Sequence, residues 1–558
     1  MYIFKSNLSC ADFLESDSEY ARKYLDELNE EYGKFRDEPV KALSLSAFME
    51  YFKSGNRLLY ENEYFRRRAM LRDFALKAWL GDRDAVNRLE NVMVAVCSEN
   101  TWALPAHIGN ESPEITLDLF AAETAGTLAE IISLLNDTIS DEIVNQCISE
   151  IRKRVLNPFI NRSKPYGWES AKSNWCAVCG GCVGMTAIYL IEDDSELLKV
   201  TESLRKSLDS YLLSFSCDGA CLEGLYYWNY GMMYFTAFLD LYRQRVGKDF
   251  PIDYEMAKKA ADFAHKCILG GGFTISFSDG YERDRIYSGL SCKLSEMFGA
   301  APVESEYTAL FYGDSCGRWC KAARDIAWTK ETDAAKNTDS VIFGDAQWAV
   351  LRGEKICAVF KGGTNNEPHN HNDIGSVIIA KNDKILLCDI GAGEYTAEYF
   401  SDGRYNILCN RSMGHSVPVI GGEEQKAGEE YRADGFFADE NSAGADISGA
   451  YGYKALRKCV RTLCCDSETA TIQDTFELGE ETEIRERFIT RHKARKSEEG
   501  IKIISDGETI GTLISDNTAN VEIKTYPHRD HDGNVTEITA IDYTFKVSGE
   551  YTFRLRVR

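Results

Sequence analysis

The stretch QWAVLRGEKICAVFKGG, Gln347–Gly363, marks the point where the chain changes its period. Upstream of it, apolar residues recur every three or four positions; from it onward, β-branched and aromatic runs are separated by Gly, Asp and Asn turns. The first spacing puts an apolar stripe on a helix, the second an apolar face on a strand. Helical runs include EYFRRRAMLRDFALKAWL, LDLFAAETAGTLAEIISLL, DEIVNQCISEIRKRVL and YGMMYFTAFLDLYRQ. Many successive helices with short connections imply antiparallel hairpins arranged as a solenoid or a closed toroid. Strand runs include SVIIAKNDKILLCDIG, KCVRTLCCDSETATIQDTFEL and DYTFKVSGEYTFRLRV, with a hairpin turn at Asn382-Asp383. Gly421–Gly449 is polar and Gly-rich and reads as a long loop. The expected class is multidomain α+β, with a helical domain over 1–340 and an antiparallel β-sandwich over 341–558.

A chain of 558 residues is too long for one core, and 44% hydrophobic with 27% charged residues is an ordinary globular composition. A formal net charge of -24 argues against a general nucleic-acid or anionic-membrane binder. The start, MYIFKSNLSCADFLES, lacks the basic and apolar regions of a secretory signal, and no run is apolar enough to span a bilayer. The expected location is therefore the cytoplasm, or outside it if a signal was removed. The 18 cysteines then read as small buried hydrophobes in a reducing compartment. Cys176, Cys179 and Cys182 lie three apart in a run of small residues, which fits one face of a closely packed helix better than a cluster ligand set.

Chemistry concentrates in four places. NNEPHNHNDIGS, Asn365–Ser376, places His369 and His371 two residues apart, on one face if the segment is a strand. ENTWALPAHIGN carries Trp102 and His107, SNWCAVC carries Asn174, and DGACLEGLYYWNYGMMY carries Glu223, Tyr227 and Trp228. Read singly, these aromatics are interhelical packing and the histidines cap a turn. Together, aromatic rings among polar groups suit a sugar, whose C–H face packs on a ring while its hydroxyls find polar partners.

With LLCDIGAGEY and RYNILCNRSMGHSVPVIGG added, these motifs resemble the heparinase II/III-like polysaccharide lyases from about Asn100 to about Gly422. The resemblance implies an N-terminal (α/α) toroid, a C-terminal antiparallel β-sandwich, and β-elimination at C4 of a uronic acid, glycosaminoglycans being preferred. Such a reaction needs donors to the carboxylate, a base near C5 and an acid near O4. By resemblance Asn174 neutralises the carboxylate, Tyr227 and His369 are catalytic, Tyr405 is a second catalytic tyrosine, and His371, Asp389 and His415 hold a structural Zn2+. Trp102, His107, Glu223, Trp228 and Arg404 are substrate-binding candidates. A tyrosine base would need a depressed pKa, whereas an acid would not. Arg66–Arg68, Arg72, Arg404, Arg411 and Lys361 are candidates for a basic patch that an acidic enzyme would need for an anionic glycan. A homo-oligomer is compatible with the sequence. If His369 faces a cleft and His371 a metal, the backbone between them is a bulge or loop rather than a regular strand. Two other readings stay open: a glycosidase using Glu223 with Asp218 or Asp279, and a non-catalytic glycan-binding homologue.

Overall fold

The computed structural model describes residues 13, 16, 18–109, 112–309, 314–330, 334 and 336–558. It divides into two compact units, each built from several chain segments. The first comprises Met1–Ser214, Trp228–Ala261 and Arg285–Ala335; the second comprises Phe215–Tyr227, Asp262–Asp284 and Lys336–Arg558. Two excursions from the helical stretch thus count with the strand-rich unit, and one of them ends at Tyr227.

The first unit is helical. Its helices include Leu58–Trp79, Arg83–Cys97, Leu119–Leu134, Asn174–Leu190, Asp194–Leu212 and Trp319–Trp328. Several begin at side chains that accept an otherwise unpaired backbone N–H: Asp82, Asp118 and Asp193 each cap the helix that follows. Helix Asn174–Leu190 is buried almost all round, Cys176, Cys179 and Cys182 included. A Cβ on Gly181 would lie 2.7 Å from the Tyr234 carbonyl oxygen, so only glycine admits this helix approach. Helix packing is therefore what the C-x2-C-x2-C spacing serves. No helix among the described residues is long and apolar enough to cross a membrane.

Several expected surface charges are interior. Arg67 and Arg68 both bind the buried Glu99 at 2.8 Å, Arg72 binds Asp73 at 2.7 Å, and Arg324 forks onto Glu130 with neither side chain exposed. Arg66 pairs with Glu38, and in the second unit Arg411 pairs with Glu424 and the wholly buried Lys361 with Asp373. Of the candidates for a basic patch, Arg67, Arg68, Arg72 and Lys361 are thus consumed by buried ion pairs, whereas Arg66 and Arg411 keep 37% and 40% of their side chains exposed. Sequence spacing does not separate a buried arginine with a partner from a solvated one.

The second unit is a sandwich of two antiparallel sheets. One has five strands, ordered Lys384–Leu387, Val377–Lys381, Ile356–Lys361, Trp348–Arg352 and Val341–Phe343. The other has ten and is centred on the long strands Ala470–Thr490 and Val535–Val557. Inward residues of the two sheets, among them Leu351, Phe360, Ile379, Leu463, Phe476 and Phe553, share one core. Asn382 and Asp383 both have positive φ, +47° and +59°, as the two-residue hairpin predicted there requires. Gly421–Gly449 is not one long loop: it contains strands Gly428–Arg432, Asp434–Ala438 and Ser442–Asp446. The Asp434–Asp446 hairpin forms the edge of the large sheet, where exposure lets polar residues and glycine stand in a strand.

Candidate active site

In the second unit the histidine motif is a loop, as the division of labour between its two rings required. Residues 366–376 lie outside the strands, and His369 has φ +57°, a conformation costly for a residue with a Cβ. The loop is pinned from several sides. Lys361 Nζ holds both Asp373 oxygens at 2.7 and 2.9 Å, Gln425 Oε1 accepts from Ile374 N, and Ser412 Oγ donates to Asn372 O. Arg461 rises from the large sheet, where it is paired across strands with Asp474, and donates to Gly375 O at 2.9 Å and Ser416 O at 2.6 Å. One buried guanidinium therefore ties the ends of the segments that carry His371 and His415.

Both histidines converge on one carboxylate. Asp279 Oδ2 lies 2.6 Å from His369 Nδ1, and Asp279 Oδ1 lies 3.0 Å from His371 Nε2. Tyr395 Oη donates to Oδ2 at 2.7 Å, and the Tyr399 hydroxyl donates to Oδ1. Burial by itself would raise the Asp279 pKa, but the hydrogen bonds it accepts from His369 and His371 outweigh it and hold the group well below the ordinary carboxylate range. A carboxylate at Nδ1 fixes the proton there, which leaves the His369 Nε2 lone pair outward. That nitrogen has no hydrogen-bond partner among the described residues, and the side chain is 21% exposed.

Tyr227 completes the group. It lies in the first turn of helix Leu225–Val246, its ring stacks on His369 with centroids 4.1 Å apart, and its hydroxyl is hydrogen-bonded to that of Tyr395. Burial, then the negative charge of Asp279, push its pKa well above that of ordinary phenol. A phenol so placed rests protonated, which suits an acid and opposes the depressed value a resting base would need. The buried Glu223 adds to the negative field around it.

The candidate metal residues are buried beside this group. Burial lowers the His371 pKa despite Asp279, so the ring is neutral. Its Nε2 faces Asp279, while Nδ1 is buried without a hydrogen-bond partner. His415 lies 5.3 Å away ring to ring, with Nε2 2.7 Å from Cys409 O and Nδ1 2.9 Å from Asp389 Oδ2. His371, Asp373 and His415 each offer a ligand atom within 4.8 Å of the others. Asp389, the implied third ligand, instead accepts from His415, and from Gly391 N at 2.9 Å.

Other candidates fare differently. Tyr405 meets Asn370 Nδ2 at 3.5 Å, and Arg404 gives its donors to the carbonyls of Asn370 and Tyr399, so it braces the loop. In the first unit Trp102 and Trp228 are each 1% exposed, with their indole N–H on Val96 O and Ala260 O. Neither presents a face to a sugar, because an indole that is apolar except for one donor completes a helix core well. Asn174 is buried at the start of its helix. His107 is bound to Asp118 at 2.7 Å, stacked over Phe120 and set edge-on to Trp175, and remains partly exposed. Asp279 cannot serve as a glycosidase acid, since it is an anion saturated with donors. Asp218 is occupied by the Ser216 hydroxyl and Asp345 N.

Helices followed by an antiparallel sandwich, with a histidine–tyrosine–carboxylate group in the sandwich unit, define a two-part toroid and β-sandwich architecture. Residues 335–554 match the family model Heparinase II/III-like, C-terminal. The fold is shared with solved structures over nearly the whole chain. A crystal structure of heparinase III is 14% identical, with TM-score 0.67 over 98% of this chain and 90% of that one. Heparan sulfate lyase HepC from Pedobacter heparinus is 10% identical, with TM-score 0.59 over 99% and 92%. The Streptomyces coelicolor A3 chondroitin AC lyase in complex with chondroitin sulphate is 10% identical, with TM-score 0.56 over 97% and 80%. No curated protein matches the chain in sequence.

Proposed function

We propose that the protein is a polysaccharide lyase that cleaves a uronate-containing glycan, a glycosaminoglycan, by β-elimination at C4. The observation that carries this reading is the Asp279-anchored pair of His369 and Tyr227: an imidazole held at Nδ1 by a buried carboxylate, with its ring stacked on the phenol. In the first half of the reaction His369 Nε2 takes the C5 proton, and the C5–H electron pair becomes the C4–C5 double bond. The C4–O4 pair leaves with O4, which Tyr227 protonates. The enediolate that develops at the carboxylate needs a donor, the role the family resemblance gives Asn174. The expected result is a rise in ultraviolet absorbance from the unsaturated product when the enzyme meets one of a panel of uronate glycans. A rise with none of them, with reducing ends released instead, would transfer the protein to the hydrolases.

A zinc ion belongs to the same proposal. Its support is the buried, unpartnered His371 Nδ1 beside two buried carboxylates, with the far nitrogens of His371 and His415 on oxygen acceptors as ligand histidines require. His371, His415 and Asp389 or Asp373 would hold the ion; binding would displace the proton between His415 and Asp389. Its chemistry would be structural, fixing the ring that shares Asp279 with His369. Zinc added to chelator-treated protein is expected to raise the thermal midpoint, by about 2.7 kcal/mol of stability at a hundredfold excess over Kd. His371→Ala should remove that rise, and no rise in the wild type would refute the site.

A further inference from the structure

We infer that Tyr395 is a positioning residue for the acid step: its hydroxyl turns from Asp279 to Tyr227 as Tyr227 gives up its proton, and stabilises the phenolate left behind. The inference rests on the lyase reading of this site and adds to it a residue that acts through Tyr227.

A hydroxyl carries one proton. Tyr395 donates its proton to Asp279 Oδ2 at 2.7 Å, so the close contact between the Tyr395 and Tyr227 oxygens is filled by the proton of Tyr227. During elimination the Tyr227 hydroxyl turns its proton from Tyr395 to O4, its O–H bond breaks, the proton goes to O4, and the O–H electron pair stays on the phenolate. Two bare oxygen acceptors would then face each other at contact distance unless the Tyr395 proton reorients. Rotation about one C–O bond achieves this without moving a heavy atom. The ring itself is held by Tyr399, Phe400 and His531, with centroids 4.8, 4.9 and 4.3 Å away. Asp279 tolerates the change, because His369 remains on Oδ2 and His371 and Tyr399 remain on Oδ1. The new hydrogen bond, from phenol to phenolate, is charge-assisted and stronger than the neutral one it replaces.

The test compares two substrates: the glycan that the wild type degrades, and a uronoside bearing 4-nitrophenol at C4, whose departure needs little protonation. Tyr395→Phe is expected to lower kcat on the glycan about 10²-fold, the scale of one donor to a developing oxyanion, with KM within about twofold. On the nitrophenyl substrate it should stay within about threefold of wild type. That retention also shows that the variant folds. Tyr399→Phe likewise removes one donor from Asp279 but does not touch Tyr227, so it should stay within about threefold of wild type on both substrates. Equal losses for Tyr395→Phe on the two substrates, or no loss on the glycan, would overturn the inference. A wild type that forms unsaturated product from neither substrate would overturn the lyase reading itself, and the inference with it.

Discussion

Replacing Tyr227 by phenylalanine is expected to lower kcat on a uronate glycan about 10³-fold, within the range for loss of a general acid, while the thermal midpoint changes little. The ring stacked on His369 is kept, so the packing that orients the histidine survives and the loss falls on one proton. KM should move less than kcat, since the phenol acts on the leaving oxygen as its charge develops. The pH profile gives a second check. An acid must be protonated to work, so activity falls as pH rises through its pKa. Burial and Asp279 raise that pKa, which moves the fall above the ordinary phenol range near ~10 rather than below it. A variant with unchanged kcat, or a wild type whose alkaline limb lies well below that range and vanishes in Tyr227→Phe, would refute the acid role.

The change of period near Gln347 made both halves of the fold legible, because helix and strand differ in which side chains share a face, and that difference is local. The loop at His369 was legible for a different reason: two neighbouring rings assigned to two jobs cannot leave a regular strand together. Asp279 was not legible as an anchor. In FSDG it has the appearance of any turn-forming aspartate, and nothing within ninety residues announces the histidines it serves. Tyr395 and Tyr399 were missed likewise: Tyr395 closes the quoted motif LLCDIGAGEY, in which Asp389 drew the assignment, and Tyr399 lies beyond it. Trp102 and Trp228 failed in the opposite sense, as conspicuous residues used for core packing. Interior ion pairs such as Arg324–Glu130 span 194 residues, and only the folded chain brings the partners together.

Asp279→Asn is expected to be the more damaging of the two central changes, because it acts on the base and on the fold at once. An amide offers one acceptor and one donor where the carboxylate offered acceptors to four donors: His369, His371, Tyr395 and Tyr399. At least one buried donor must lose its partner, at a cost of about 1–3 kcal/mol. The His369 proton no longer has a carboxylate to hold it on Nδ1, so the tautomer with Nε2 protonated gains population and the base is lost. Loss of the equivalent carboxylate behind a histidine in serine proteases costs about 10⁴-fold in kcat, and a similar scale is expected here. The pH dependence of stability isolates the charge. Because the folded-state pKa of Asp279 is depressed, its contribution is present above the unfolded carboxylate value near ~3.9 and is lost as pH falls through the folded value. Denaturation of the wild type should therefore show stability falling on the acid side, and Asp279→Asn should be less stable near neutrality with a shallower acid slope. Equal slopes in the two proteins would mean that Asp279 is not the depressed acid, whereas an active Asp279→Asn would mean that something other than this carboxylate orients His369.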